Sequence, residues 1–231
     1  MDAIARFLSL FSMDAEALPE DDPCPICYYD FHDRAVAPVV VKTQCGHRFH
    51  LDCIARDFVE RPIGLRRCAI CRQNPMPVVN ENTNESYPDK FFPDRAFFNA
   101  CSEGDSKKVI KSLAEGVNVN VAVVGKGFTA LMLATAKGHK EVVEHLTKGG
   151  AGLDTARTVD GVTSLHIAVR SNSTACVQAL ITAGAELDAP LTTNGATPLW
   201  VAALENNTDC LQALITAGAG KGKEESYCVI L

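Results

Sequence analysis

The sequence is short of several things that would place it in familiar classes. No apolar run in its 231 residues reaches the roughly 18 residues that a membrane-spanning helix needs. The opening stretch MDAIARFLSLFS carries Asp2 and lacks both a basic n-region and a small-residue cleavage site, so it reads poorly as a secretory signal. Without export, a disulfide framework is not expected of the ten cysteines, and metal binding or burial becomes the default. No long basic block is present and the formal net charge is −6, so a nucleic-acid duplex is not an expected partner. What remains is ordinary: 47% apolar and 22% charged residues, enough for one large globular domain or two small ones.

The cysteines are unevenly placed. Six of them, Cys24, Cys27, Cys45, Cys53, Cys68 and Cys71, fall within residues 24–71, with His47 and His50 among them. The order is C-x2-C, seventeen residues, C-x-H-x2-H-x2-C, fourteen residues, C-x2-C. A close C-x2-C pair chelates one tetrahedral ion through two thiolates, and eight ligands make two closed four-coordinate sites. Closed sites are structural, because no coordination position is left for a substrate. Spacing alone leaves the pairing of the ligands open.

The pattern resembles a RING finger of the two-histidine type over about residues 22–76. The resemblance implies a small zinc-bound α+β domain with interleaved ligands: Cys24, Cys27, His50 and Cys53 on one Zn²⁺, Cys45, His47, Cys68 and Cys71 on the other. It also implies a ubiquitin ligase that holds a ubiquitin-conjugating enzyme on an apolar groove between the zinc loops. Ile26, in CPIC, matches the family's apolar contact position, and Ala69 and Ile70, in CAIC, occupy the second loop. Arg72, directly after the last ligand, stands where active members place a basic residue that touches both conjugating enzyme and ubiquitin. One departure is visible. Where the family often has tryptophan, four residues after the sixth ligand, this chain has Asp57, and the aromatic is Phe58. A helix turns about 100° per residue, so Phe58, the nearest candidate for that contact, is expected to point off the usual face.

The second half repeats itself. VQALITAGA at 177–185 returns as LQALITAGA at 211–219, 34 residues later. Gly127, Gly161 and Gly195 keep the same interval, as do Thr129, Thr163 and Thr197. A fixed period of this length marks a repeat array. GFTALMLATAKGHKEVVEHLTKGGA, GVTSLHIAV and GATPLWVAA resemble ankyrin repeats, and FFNACSEGDSKKVIKSLAEGVNVN at 97–120 resembles a capping first repeat. The resemblance implies an all-α solenoid of four repeats over residues 94–220 that binds a protein substrate or adaptor. Positions matching the family's binding surface include Phe128, Lys137, Val162, Arg170 and Leu204. Burial of Phe128 and Val162 by the hairpins is the equal alternative to an apolar partner patch. Cys101, Cys176 and Cys210 are expected to be core thiols, and His139 and His166 to satisfy turn backbone.

Two ends and a junction complete the layout. Residues 77–93 are proline-flanked and Asn/Glu-rich without periodicity, which reads as a linker. In residues 1–21, Ile4, Phe7, Leu8 and Phe11 fall at helical spacing, as in an amphipathic helix. Residues 221–231 form a polar tail ending Cys228-Val229-Ile230-Leu231, which resembles a CaaX box with leucine favouring geranylgeranylation. The expectation is a RING-type ligase with two Zn²⁺, tethered through Cys228 to the cytosolic face of a membrane. The alternative is a non-catalytic prenylated ankyrin scaffold whose zinc module is structural.

Overall fold

A computed structural model of the chain describes residues 23–28, 39–122, 127–157 and 159–220. The expected amphipathic stripe at Ile4–Phe11 and the acceptor Cys228 both lie outside the described residues. The chain divides into two compact units, with the boundary between Asp89 and Lys90. No described helix is long and apolar enough to cross a membrane.

The first unit is built on four short antiparallel strands: β1 (Val40–Lys42), β2 (Arg48–His50), β3 (Val78–Asn80) and β4 (Ser86–Tyr87). Their order is β2-β1-β3-β4. Val41 faces Phe49 across the β1–β2 pair, and both are fully buried. Helix α1 (Leu51–Val59) follows β2 without a break and turns Ile54, Ala55, Phe58 and Val59 inward. These residues and Val78 make the small apolar core.

Residues 77–93 depart from the linker expectation. β3 pairs with β1, Val41 opposite Asn80 and Lys42 opposite Val79, and β4 pairs with β3. Asn80 closes the turn between them by accepting from the N–H groups of Asn82 (2.9 Å) and Thr83 (3.3 Å). Strands of two and three residues are too short to carry a readable alternation, and the Asn-rich turn chemistry has the composition of a linker.

The end of this segment is tied back by a buried cation. Arg66, 1% exposed, pairs with the Asp89 carboxylate at 2.7 Å and also donates to the Asp89 carbonyl. Its Nε donates to the Phe58 carbonyl at 3.3 Å, and its guanidinium lies 5.5 Å from the centre of the Phe58 ring. The second Asp89 oxygen accepts the N–H of Gly64, in the loop that leads from α1 to the last two cysteines.

The second unit is four stacked helix pairs. They are α2 (Arg95–Glu103) with α3 (Ser106–Ala114), α4 (Ala130–Ala136) with α5 (Lys140–Lys148), α6 (Ser164–Arg170) with α7 (Thr174–Ala183), and α8 (Pro198–Leu204) with α9 (Thr208–Ala217). First helices pack on first helices and second on second. Leu146, Leu180 and Leu214 are fully buried along the second helices, and Ala134, Ala168 and Ala202 along the first, where small side chains let the helices approach. The repeated threonines cap the first helices: Thr129 and Thr197 each accept from the third residue on, at 3.3 Å. Gly184 and Gly218 end α7 and α9 in the left-handed region, which glycine enters without a Cβ penalty. Neighbouring pairs are also joined through the hairpins. Asn120 accepts from the Gly152 N–H and Asp154 from the Glu186 N–H, both at 2.7 Å, and Asp188 accepts from the Gly220 N–H at 2.9 Å.

The histidines and cysteines of this unit hold the structural places expected of them. His139 Nε2 donates to the Ser102 carbonyl at 2.9 Å. His166 Nε2 donates to the Ala196 carbonyl at 3.2 Å, which leaves Nδ1 to accept from the Thr163 N–H. Burial lowers the His166 pKa, so the ring is neutral at physiological pH. Cys101, Cys176 and Cys210 are fully buried, and burial pushes the Cys101 thiol up to about 12, where it is no nucleophile.

The Arg66–Asp89 pair gives the first testable outcome. Asp89→Ala leaves a buried guanidinium without its counter-charge, and removing one partner of such a pair typically costs about 3–5 kcal/mol. The expected result is a lower urea midpoint for zinc release from the first unit, with the helical signal of the repeats unchanged.

Candidate metal centres and the adjoining surfaces

The eight expected ligands come together as two groups of four. Cys24, Cys27, His50 and Cys53 form one, Cys45, His47, Cys68 and Cys71 the other, and within each group the ligand atoms all lie within 4.8 Å of one another. Short elements place them. The β1–β2 turn carries Cys45 and His47, the last residue of β2 is His50, and the first turn of α1 carries Cys53. His47 and His50 are three residues apart along an extended segment whose side chains alternate faces, so they turn to opposite sides and serve different groups. Thr43 shapes the turn: it is buried, its hydroxyl donates to the His47 carbonyl at 3.0 Å, and it accepts the His47 N–H at 3.1 Å.

The residues fit zinc. In the first group the Cys27 and Cys53 sulfurs lie 3.3 and 3.9 Å from His50 Nδ1. In the second the Cys45 and Cys68 sulfurs each lie 3.5 Å from His47 Nδ1. Ligand atoms about 2.0–2.3 Å from one tetrahedral centre are separated by about 3.3–3.8 Å, which matches this spacing. The electrostatics ask for a cation. A hydrogen bond from Cys53 holds the Cys24 thiol down at about 4, while the same contact and burial push Cys53 up. Burial raises Cys45, but hydrogen bonds from Thr43, His47 and the neighbouring thiols outweigh it and bring the group to about 6. Burial raises Cys68 to about 12. Thiols so close together cannot all ionise beside one another, and a divalent ion in their midst removes that conflict.

The loops carrying the C-x2-C pairs share one turn geometry. Tyr28 donates its N–H to the Cys24 carbonyl at 2.7 Å, and Arg72 donates its N–H to the Cys68 carbonyl at 3.1 Å. Both residues sit in the left-handed region, at φ 60° and 62°. This turns the chain away from the metal group and leaves Tyr28 and Arg72 exposed. Ile26, Ala69 and Ile70, inside the two loops, are half-buried.

Phe58 needs correction as a contact for a conjugating enzyme. It is fully buried in the core beneath Arg66, because its place on α1 is one step, about 100°, round from Asp57. Asp57 is the residue left half-buried there, within 3.5 Å of Arg61 one turn later.

On the repeats, Val162 is likewise part of the core. It forms a buried cluster with Met132 and Ile167, against which Phe128 and Leu191 pack. The hairpin that brings Val162 inward is closed by the Arg157 N–H donating to the Val162 carbonyl at 3.0 Å, and the Arg157 guanidinium covers the Phe128 ring at 4.6 Å. Of the five expected partner positions, Lys137, Arg170 and Leu204 stay exposed. Thr43, Arg66 and Asp89 went unread in the sequence; a lone threonine, arginine and aspartate outside any motif give no local signal.

Comparison with protein families adds two matches and no individual relative. The ring finger domain family matches residues 22–72, over both ligand groups, and such domains suggest ubiquitin ligase activity. The family described as ankyrin repeats (3 copies) matches three overlapping stretches, 69–156, 97–190 and 150–225. No curated protein matches the chain. Since the repeat matches run from residue 69 to residue 225, more than half of the 231 residues, the chain belongs to the ankyrin-repeat family and carries a RING-type zinc finger ahead of its repeats.

Proposed function

We propose that this protein is a RING-type ubiquitin ligase whose ankyrin array holds a protein substrate or an adaptor. The observation that carries the reading is the surface around the two metal groups. Ile26, Ala69 and Ile70 are part-open on the two loops that the metals fix, with Arg72 exposed directly after the last ligand. Zinc, when bound, supplies fixed geometry and no chemistry of its own, because the closed donor sets leave no position for a reactant.

The chain's residues act by placement. Ile26, Ala69 and Ile70 offer apolar contact to a ubiquitin-conjugating enzyme. The Arg72 guanidinium, a planar fork of donors, bridges that enzyme and its bound ubiquitin. A substrate lysine then attacks the ubiquitin thioester, the new isopeptide bond replaces the C–S bond, and the thiol leaves on the conjugating enzyme. The ligase contributes proximity and orientation. Lys137, Arg170 and Leu204 are the exposed positions through which the array meets its partner. The cationic pair and the apolar Leu204 suit a partner surface that is acidic with an apolar spot.

We also propose that Cys228, in Cys228-Val229-Ile230-Leu231, accepts a prenyl group and brings the protein to cytosolic membrane faces. One lipid chain gives reversible binding, worth about 0.8 kcal/mol per buried methylene. Tethering then raises the effective concentration of membrane-associated substrates.

Three outcomes are expected. Metal analysis of the purified chain gives two Zn²⁺, and chelation unfolds the first unit while the repeats keep their helical signal; one zinc or none contradicts the interleaved pair. In a reconstituted assay with a panel of conjugating enzymes, Ile26→Ala or Arg72→Ala abolishes autoubiquitination with zinc content unchanged. A wild-type protein inert with every enzyme makes the chain a scaffold, the reading that burial of Phe58 favours. In eukaryotic cells Cys228→Ser releases the protein from the membrane fraction and leaves soluble autoubiquitination intact. Equal partitioning of the two proteins removes the lipid from the account.

A further inference from the structure

Successive repeats can be compared position by position at the 34-residue interval. Leu131 and Leu165, Met132 and His166, Thr135 and Val169, and Val143 and Val177 are all at most 1% exposed. Their counterparts in the last pair are Leu199, Trp200, Ala203 and Leu211. Leu199, Trp200 and Leu211 are only half-buried, and Ala203 is exposed. In the inner pairs the next pair of helices covers these positions. After α9 no described helix follows. A repeat stack needs a terminal unit with a polar outer face, and this one ends on Leu, Trp, Ala and Leu.

We infer that residues 227–231, Tyr-Cys-Val-Ile-Leu, cover this open end. Three observations favour that occupant. The Asp188 carboxylate accepts the Gly220 N–H at 2.9 Å, which pins the chain beside the last helix pair just before this segment begins. The intervening residues, Lys221–Ser226, are six and polar or glycine, and six extended residues span up to about 20 Å. That exceeds the length of the ten-residue α9, about 15 Å, so the apolar residues reach any point of the outer face. The composition also matches: the face lacks charge at the four uncovered positions, and the segment is the apolar run nearest to it along the chain. A link this short gives an effective concentration of about millimolar, which favours the attached segment over a second copy of the chain. The inference goes beyond the proposed ligase and does not need the lipid. It does give Cys228 two exclusive fates, since a segment lying on the array is withheld from a prenyltransferase.

Trp200 is the one tryptophan in the chain, so it reports on this face alone. The full chain made in bacteria, which do not prenylate, is compared with Val229→Asp/Ile230→Asp/Leu231→Asp, with helical content checked by circular dichroism. The expected result is acrylamide quenching of Trp200 about two-fold lower in the unmutated chain, independent of protein concentration. Equal quenching in both overturns the inference. So does protection that grows with concentration alongside a dimer in sedimentation, which assigns the face to a second copy. An independent reading moves the reporter: in Trp200→Phe/Tyr227→Trp, the new indole should emit to the blue of the same chain in urea, and identical emission sinks the proposal.

Discussion

Repulsion between crowded thiolates, and its relief by a cation, is the constraint on which the first unit is built. Its apolar core is a handful of residues between four strands of two or three residues and one helix, too little to order the loops at 23–28 and 68–72 by itself. The metal groups supply the missing crosslinks. Both draw on the same short segment, since His47 at the head of β2 belongs to one and His50 at its end to the other. A strand of three residues thus has both its ends fixed by different ions. Loss of either ion frees one end and loosens the other, so the two sites form and fail together.

The second unit solves the same shortage of core differently. A helix pair of seven and nine residues cannot bury its own apolar stripe, and each pair borrows the face of the next. Alanines at the contact between first helices and leucines along the second helices divide the work between close approach and filled volume. The two halves therefore differ in what they can present. In the metal-bound unit, side chains next to ligands are held by the coordination geometry itself, as with Arg72 in the left-handed region directly after Cys71. On the repeats, surface residues such as Lys137 and Arg170 sit on rigid helix ends and vary without cost to the stack.

The sequence was most readable where a pattern is fixed by chemistry. The order and spacing of Cys24 to Cys71, taken with the family resemblance, anticipated both ligand groups, because a tetrahedral ion tolerates few spacings. The 34-residue interval anticipated four helix pairs, their threonine caps and the buried cysteines. Reading failed where contacts are long in sequence and short in structure. β3 and β4 are too brief to show alternation, and Arg66 meets Asp89 across 23 residues with no motif to announce it. Burial of Val162 depends on a hairpin whose path is set by Arg157 and Phe128, so a surface position inferred from repeat matching became a core one. Phe58 shows the opposite case: its offset from the usual place was legible, and the helix geometry that follows from it puts the ring inside.

The hairpin bonds from Asn120, Asp154 and Asp188 to Gly152, Glu186 and Gly220 have a consequence for how such a chain changes length. Each acceptor stands 34 residues after the last, and so does each donor. Excising or duplicating a block of 34 residues regenerates every bond, with an old acceptor meeting an equivalent donor. A block of any other size strands a buried side-chain partner at the splice and shifts the stacked leucines out of line. The array can therefore grow or shrink only in whole quanta, like a crystal adding layers, and its lattice constant is written in the sequence as the distance between two aspartates.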